Sequence, residues 1–322
     1  MKKILCFGDI LIDFISKEKG KTVAESNLFE KRAGGSIFNV AVGLSRLGNR
    51  VSFLAKVGSD EFGKYLKNVL KEENINDKWT FQVDDLNTTL AFASVDIEGK
   101  PSFDFHKDKR GIAQVDIKDI SEISCEGFDL FHFGSTTILE SKTAKTMEYL
   151  SKKMKEENVF VTFDPNVRPS LIENKELFVD LVVRLIKNVD LLKLSDDDLQ
   201  YLAGTRNFTS AKKTLEIDDD TIIVLTMGSK GAKLFYKNME LFEQGFSVDV
   251  AETTGCGDSF MSALISGLLE YDDPGSLNDK SLSRILRRAN ASAAMVATRI
   301  GAAESMPYKE ELEKFVRKLT DK

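Results

Sequence analysis

Short apolar runs rich in β-branched residues recur along the chain, at residues 4–7, 51–57, 130–133, 159–163, 191–194 and 222–226. They are continuous rather than alternating, which is the pattern of strands buried on both faces. Between several of them lie segments with helical spacing. Over 61–72, Phe62, Tyr65, Leu66, Val69 and Leu70 share one face, and 177–186 and 282–296 read the same way. Apolar runs alternating with helices predict parallel βαβ units, and hence an α/β fold whose mostly parallel sheet is covered on both sides.

Two segments break this rhythm. Residues 13–32 and 88–105 carry period-2 alternation and turn residues without a helical pattern. In 89–97, Leu90, Phe92, Ser94 and Asp96 face away from Ala91, Ala93 and Val95; Gly99-Lys100-Pro101 then supplies a turn before 102–105. Antiparallel strands are expected here, too few for a core of their own. They read as a small sheet that serves as a lid beside the α/β core. No repeat period or low-complexity tract is present. The expectation is one domain, 1–322, with a lid formed by about 13–32 and 88–110 inserted in it.

Composition narrows the function classes. Hydrophobic residues make up 42% and charged residues 30%, enough to bury a sizeable core and far from the composition of disorder. Acids outnumber bases 51 to 45, a net charge of −6, without basic blocks. Neither nucleic acid nor an anionic membrane surface is an expected partner. The longest uninterrupted candidate for a span, 263–269, is seven residues long and contains Ser and Gly, so no membrane helix is expected. Lys2 and Lys3 before an apolar run imitate a signal peptide, but Asp9 and Asp13 interrupt it and no small-residue cleavage site follows. Three cysteines without a CxxC pair speak against a disulfide framework or a cysteine zinc site, and a reducing cytoplasm is the expected location. With only His106 and His132, a histidine relay or multi-histidine metal site has little to build on. His132, inside an apolar strand, reads as a core residue.

The candidate chemistry lies in glycine-bearing loops. Glu252-Thr253-Thr254-Gly255-Cys256-Gly257-Asp258 precedes a helical pattern that begins at Phe260. Glycine allows close backbone approach, and the first N–H groups of a helix lack internal acceptors, so this is a ready anion site. Asp258 there is either a helix cap or a base held beside the anion. Ala33-Gly34-Gly35-Ser36-Ile37-Phe38-Asn39 is a second such entry, into a helix that runs to about Leu47-Gly48. Asn39, among apolar neighbours, either bonds its own backbone or meets a ligand's hydroxyls. Asp9 and Asp13 follow the first strand, where acceptors are well placed for a ligand of an open α/β sheet, although either could only cap a turn. The loop 226–231 reads as a hairpin turn. It is not a Walker A loop, and no GxGxxG or paired HRD and DFG occurs.

Residues 33–48 (AGGSIFNVAVGLSRLG) and 252–260 (ETTGCGDSF) resemble the two signatures of the ribokinase/PfkB sugar-kinase family. Residues 57–63, 132–135, 163–169 and 192–195 resemble its fructokinase branch, and the motifs fall in the family's order over nearly the whole chain. The resemblance implies a ribokinase-like three-layer α/β/α core with a β-sheet lid over a sugar, and ATP-dependent phosphorylation of a sugar hydroxyl. D-Fructose, giving fructose 6-phosphate, is the first expectation. 2-Keto-3-deoxygluconate or another sugar of the family is the alternative, and a non-catalytic sugar-binding or regulatory protein is the alternative of another class.

By resemblance Asp258 matches the catalytic base, and Gly255, Cys256 and Gly257 the anion hole. Asp13, Gly34, Gly35, Asn39 and Arg168 match sugar contacts, as do Phe105 and Lys107 in the lid. Lys193, Thr226, Gly228 and Gly231 match the nucleotide side, and Asn290 lies beside the adenine. Mg2+ is the implied metal, with Asp198 ordering its water; Asp196 and Asp197 read as a solvated helix start. The family's monovalent-cation loop, for K+, usually has Asp where this chain has Glu252. Cys256 replaces the usual Ala and reads as a small residue whose N–H matters. A homodimer through the lid is the one protein partner suggested.

Overall fold

The computed structural model describes residues 1–95, 101–106 and 114–320. In chain order the strands are β1 (Lys3–Phe7), β2 (Leu11–Ser16), β3 (Phe29–Gly34), β4 (Arg50–Gly58), β5 (Thr80–Val83), β6 (Leu90–Val95), β7 (Pro101–His106), β8 (Leu130–Gly134), β9 (Phe160–Asp164), β10 (Leu191–Ser195), β11 (Ile222–Thr226), β12 (Gly231–Tyr236) and β13 (Met239–Gln244). The α-helices are α1 (Ser36–Arg46), α2 (Glu61–Glu72), α3 (Ser141–Glu156), α4 (Lys175–Ile186), α5 (Asp196–Ala203), α6 (Phe208–Thr214), α7 (Cys256–Leu268), α8 (Asp279–Ala297) and α9 (Lys309–Thr320).

Among the described residues these strands form a nine-stranded sheet, in the order β13-β12-β11-β10-β9-β8-β1-β4-β5, and a four-stranded sheet, β3-β2-β6-β7. The large sheet is parallel from β11 to β5. Only β12 and β13 run against it, as a hairpin on one edge. The expected mostly parallel sheet is present. Its strands are apolar throughout because successive side chains enter two different cores. Ile4 and Cys6 of β1 join the core under α1, α7 and α8, whereas Leu5 and Phe7 join the core under α3, α4 and α5. β11 divides in the same way, Ile222 and Val224 to one side and Ile223 and Leu225 to the other. Helices α1, α7 and α8 pack in sequence against each other on the first face.

The small sheet departs from the antiparallel expectation at one pairing. β2–β3 and β6–β7 are antiparallel hairpins, but β2 and β6 pair in parallel, with Phe14 opposite Phe92. The reason is topological. β2 continues from β1 and β6 follows β5, two parallel core strands, so both strands leave the same edge of the core in one direction. Within the small sheet Phe14 stacks on Phe92 at 5.0 Å, and it fastens the sheet to the large body by meeting Phe62 of α2 edge-on at 5.9 Å. Pro101, read as part of a turn, is the first residue of β7; Gly99 and Lys100 lie outside the described residues. Among the described residues no helix is long and apolar enough to cross a membrane.

Candidate active site

The carboxyl-terminal ends of β1, β8, β9, β10 and β11 open on one cleft of about 640 Å³, walled by the starts of α1 and α7 and covered in part by Leu11, Asp13 and Phe105 of the small sheet. This is where an open parallel sheet offers a ligand its loops and helix N-termini.

Helix α1 starts from Gly35, whose φ of 115° suits glycine; a Cβ there would lie 2.4 Å from the Asp9 carbonyl oxygen. Asp9 fixes this start. Its Oδ1 accepts the Ile37 N–H at 3.0 Å, and its Oδ2 accepts the hydroxyls of Ser135 at 2.8 Å and Thr136 at 3.2 Å. Asp9 is therefore a buried anchor. Of the two acids singled out after β1, Asp13 keeps its carboxylate on the cleft.

Helix α7 starts from Gly255, in the left-handed region at φ 81°, with a Cβ position only 2.9 Å from Ala302 Cα. The first turn is Cys256-Gly257-Asp258. The Cys256 N–H donates to Thr253 O at 3.3 Å, which leaves Gly257 and Asp258 as the first-turn N–H groups best placed for an anion. Burial pushes the Cys256 thiol up to about 11, helped by Asp258 and Glu252, so it stays protonated and is no nucleophile. Glu252 itself accepts the Gly301 N–H at 2.9 Å.

Asp258 does not cap its helix. Its Oδ1 accepts the Ser36 hydroxyl at 2.6 Å and its Oδ2 accepts Asn39 Nδ2 at 2.8 Å, so α1 grips the acid of α7. Burial pushes the Asp258 carboxyl up to about 6, against the two donors, which pull it down. Asn39 bonds this partner and not its own backbone. Its Oδ1 is buried and, among the described residues, has no partner, an acceptor left for a ligand's hydroxyl.

Beneath α7, Lys193 of β10 pairs with Asp164 of β9, Nζ to Oδ2 2.6 Å, both buried. The Nζ stands 3.6 Å from where a side chain on Gly257 would begin. Burial pulls the Lys193 ammonium down, but Asp164, Asp198 and Asp258 outweigh it and hold it above the ordinary value. Asp198 is buried, and burial raises its carboxyl; its oxygens accept the N–H groups of Val167 at 3.0 Å and Ser195 at 2.8 Å. That carboxylate thus binds the 166–168 loop to the start of α5. Asp197 is exposed and pairs with Arg206, whereas Asp196 is half-buried on the cleft wall.

Farther along, Thr226, Gly228 and Gly231 line the cleft in the turn between β11 and β12. Asn290 of α8 also lines it, its Nδ2 tied to Glu243 O at 2.9 Å and Gln244 O at 3.3 Å. Beside them Phe246, Val248, Ala293, Ala294 and Ala297 make an apolar slot suited to a flat ring.

At the opposite end Asp13, Phe105 and Arg168 line the cleft. The Asp13 carboxyl is pushed up to about 7 by its shielding from water and by Asp9 and Glu304, with Arg32 opposing. Gly34 is not on the wall; a Cβ there would lie 1.9 Å from Asp13 Oδ2, so its contribution is the space that Asp13 occupies. Lys107 lies outside the described residues. Sequence reasoning did not assign Asp164, Ser36 or Ser135 to the site; the FDPNVR stretch that holds Asp164 was the one signal for it.

The chain matches the pfkB family carbohydrate kinase profile over residues 1–309. It is 29% identical over 325 residues to a probable fructokinase-2 of Arabidopsis thaliana, covering 98% of this chain and 95% of that one. Among solved structures it resembles an uncharacterized sugar kinase from Pyrococcus horikoshii in complex with ATP (TM-score 0.84, 30% identity, 98% and 99% of the two chains). It also resembles a fructokinase from Vibrio cholerae in a form with fructose, ADP and calcium bound (TM-score 0.85, 25% identity, 98% and 99%). The fold, the paired glycine loops and this full-length match make the chain a member of the pfkB family of carbohydrate kinases, phosphotransferases that act on a sugar hydroxyl.

Proposed function

We propose that this kinase transfers the γ-phosphate of ATP to a hydroxyl of D-fructose, giving fructose 6-phosphate. The observation that carries the reading is the placing of Asp258. One buried carboxylate touches α1, at the end of the cleft with Asp13 and Arg168, and stands in the first turn of α7, the end suited to phosphate.

An alcohol is a weak nucleophile, and a positioned base that takes its proton during attack makes it a better one. Asp258 is that base. The N–H groups of Gly257 and Asp258, with the ammonium of Lys193, meet the charge that spreads over the migrating phosphoryl oxygens. Asp13, Oδ1 of Asn39, and Arg168 orient the sugar. Thr226, Gly228, Gly231 and Asn290 seat the nucleotide against the apolar slot. Strands β2, β3, β6 and β7 act as the lid that keeps water from the phosphate.

Among the described residues no cluster of three or more metal-ligating acids, histidines or cysteines is present. Asp198, on the cleft wall, is the residue that would order a water of the magnesium that phosphate transfer calls for. When bound it would neutralise the phosphate charge.

Arg168 favours one second reading. Its guanidinium lines the cleft and spends one long bond, 3.3 Å, on Val167 O, so it suits a carboxylate-bearing sugar such as 2-keto-3-deoxygluconate. Coupled ADP-release kinetics with both sugars decide between them. Asp258→Asn is expected to lower kcat by at least ~10²-fold with little change in sugar affinity. A near-normal kcat in that variant would remove Asp258 as the base, and no turnover on any sugar of a panel would favour a binding protein.

A further inference from the structure

We propose that Ser36 is a positioning residue for the base: its hydroxyl fixes the rotation of the Asp258 carboxylate and holds it in the ionised, proton-accepting form. The proposal deepens the reading of Asp258 as the base and rests on it.

Ser36 and Asn39 lie one turn apart on α1, so they face the same way and reach the two oxygens of one carboxylate. Attachment at both oxygens leaves the group no free rotation about its Cβ–Cγ bond. Each oxygen keeps a lone pair for a substrate proton. The Ser36–Asp258 distance of 2.6 Å is that of an O–H donor on a charged oxygen. Ser36 and Asp258 are each 8% exposed, so water does not compete for the bond.

Ser36 is free for this task because it does not cap its own helix. Gly35 takes the cap position without a side-chain bond, and Asp9 already serves the next N–H. The hydroxyl points across to α7 instead.

Among the described residues, three charged or titratable groups stand out around Asp258. Asp164 of β9 opposes its ionisation, Lys193 of β10 favours it, and Cys256 of its own helix is a protonated thiol. Burial opposes ionisation most, and the bonds from Ser36 and Asn39 are the strongest influences against that burial. Without them burial would push the acid further toward its protonated form.

The test is a carboxyl-carbon NMR titration of the free, ¹³C-aspartate-labelled enzyme, with Asp258→Asn used to assign the resonance. Ser36→Ala is expected to raise the Asp258 midpoint by about one pH unit, the worth of one charge-assisted hydrogen bond. The acid limb of kcat/KM should move by the same amount, and Ser36→Thr should restore both. An unchanged midpoint in folded Ser36→Ala overturns the proposal. Should that variant fail to fold, Ser36→Cys, a poorer donor, is expected to give an intermediate midpoint, and an unmoved one overturns it equally. The two readings fail differently. Full activity of Asp258→Asn removes the base and Ser36's role together, whereas an inactive Asp258→Asn beside an unmoved Ser36→Ala midpoint removes Ser36 alone.

Discussion

Lys193 and Asp164 form an ion pair, 2.6 Å from Nζ to Oδ2, on the floor of the cleft below the first turn of α7. Neither charge reaches bulk water, so each depends on the other. Asp164→Ala strands the ammonium in the interior and is expected to destabilise the fold by ~3–5 kcal/mol. The double replacement Asp164→Leu with Lys193→Met removes both charges and should be far less harmful. Urea unfolding of the three proteins decides the matter, and a loss under about 1 kcal/mol for Asp164→Ala would mean the pair is not buried in solution.

Burial pushes the Asp258 carboxyl up to about 6, against an ordinary value of 3.8. A base must be ionised to accept a proton, so kcat/KM should rise with pH through about 6 and level off above it. Stability runs the other way. Between 3.8 and about 6 the folded state binds the proton more tightly than the unfolded one, so stability falls as pH rises through that window. Above it the full penalty remains. Asp258→Asn removes the charge and should therefore be more stable than the parent at pH 7, by on the order of 1–3 kcal/mol, with the gain vanishing below pH ~4. Thermal unfolding at pH 7 and pH 4 checks this; a variant less stable at both would refute the burial argument.

His132 is fully buried in β8, with Nδ1 3.0 Å from Thr162 Oγ1 and, among the described residues, no partner for Nε2. Burial pulls its imidazole down to about 3, from an ordinary 6.5. Here the unfolded state takes the proton first, so this residue removes stability as pH falls below 6.5. The sign is opposite to that of Asp258. Relative to His132→Leu, the parent should lose ~1.4 kcal/mol per pH unit between about 6 and 4. Denaturant titrations across that range test it, and parallel curves for the two proteins would show that His132 does not stay neutral in the fold.

Much of this was legible in the sequence. The strands of the large sheet announce themselves as short apolar runs because both faces are buried, and 61–72 has the helical stripe of α2 at its observed bounds. The glycine loops are legible because a helix entry that closely approaches another backbone leaves little room for a side chain. What stays hidden is pairing across long separations. Ser36 and Asp258 are 222 positions apart, and Lys193 and Asp164 are 29 apart; the apolar run around Lys193 marks it as buried, but nothing local says which acid either donor meets. The parallel join of β2 to β6 is hidden for the same reason, since each hairpin alone is satisfied by antiparallel pairing. Strand β13, half-exposed on an edge, lacks the buried run that marks its neighbours.

Two glycines of the site differ in what a methyl group would meet, and this separates scaffold from chemistry. At Gly35 the left-handed φ of 115° and the Asp9 carbonyl, 2.4 Å from a Cβ, both forbid alanine. Gly35→Ala should displace the start of α1, break the Asp9–Ile37 bond, and lower stability by more than ~2 kcal/mol along with activity. At Gly257 the nearest atom is Lys193 Nζ, at 3.6 Å, and the backbone is helical. Alanine fits there and is a better helix former, so stability should hold or rise by up to ~1 kcal/mol. The added methyl occupies the space between the first-turn N–H groups and the ammonium, where the phosphate is expected. Gly257→Ala should therefore keep its fold while kcat falls at least ~10-fold and sugar affinity stays near the parent's. Circular dichroism with steady-state kinetics separates the two outcomes, and a folded Gly257→Ala with the parent's kcat would place the phosphate elsewhere.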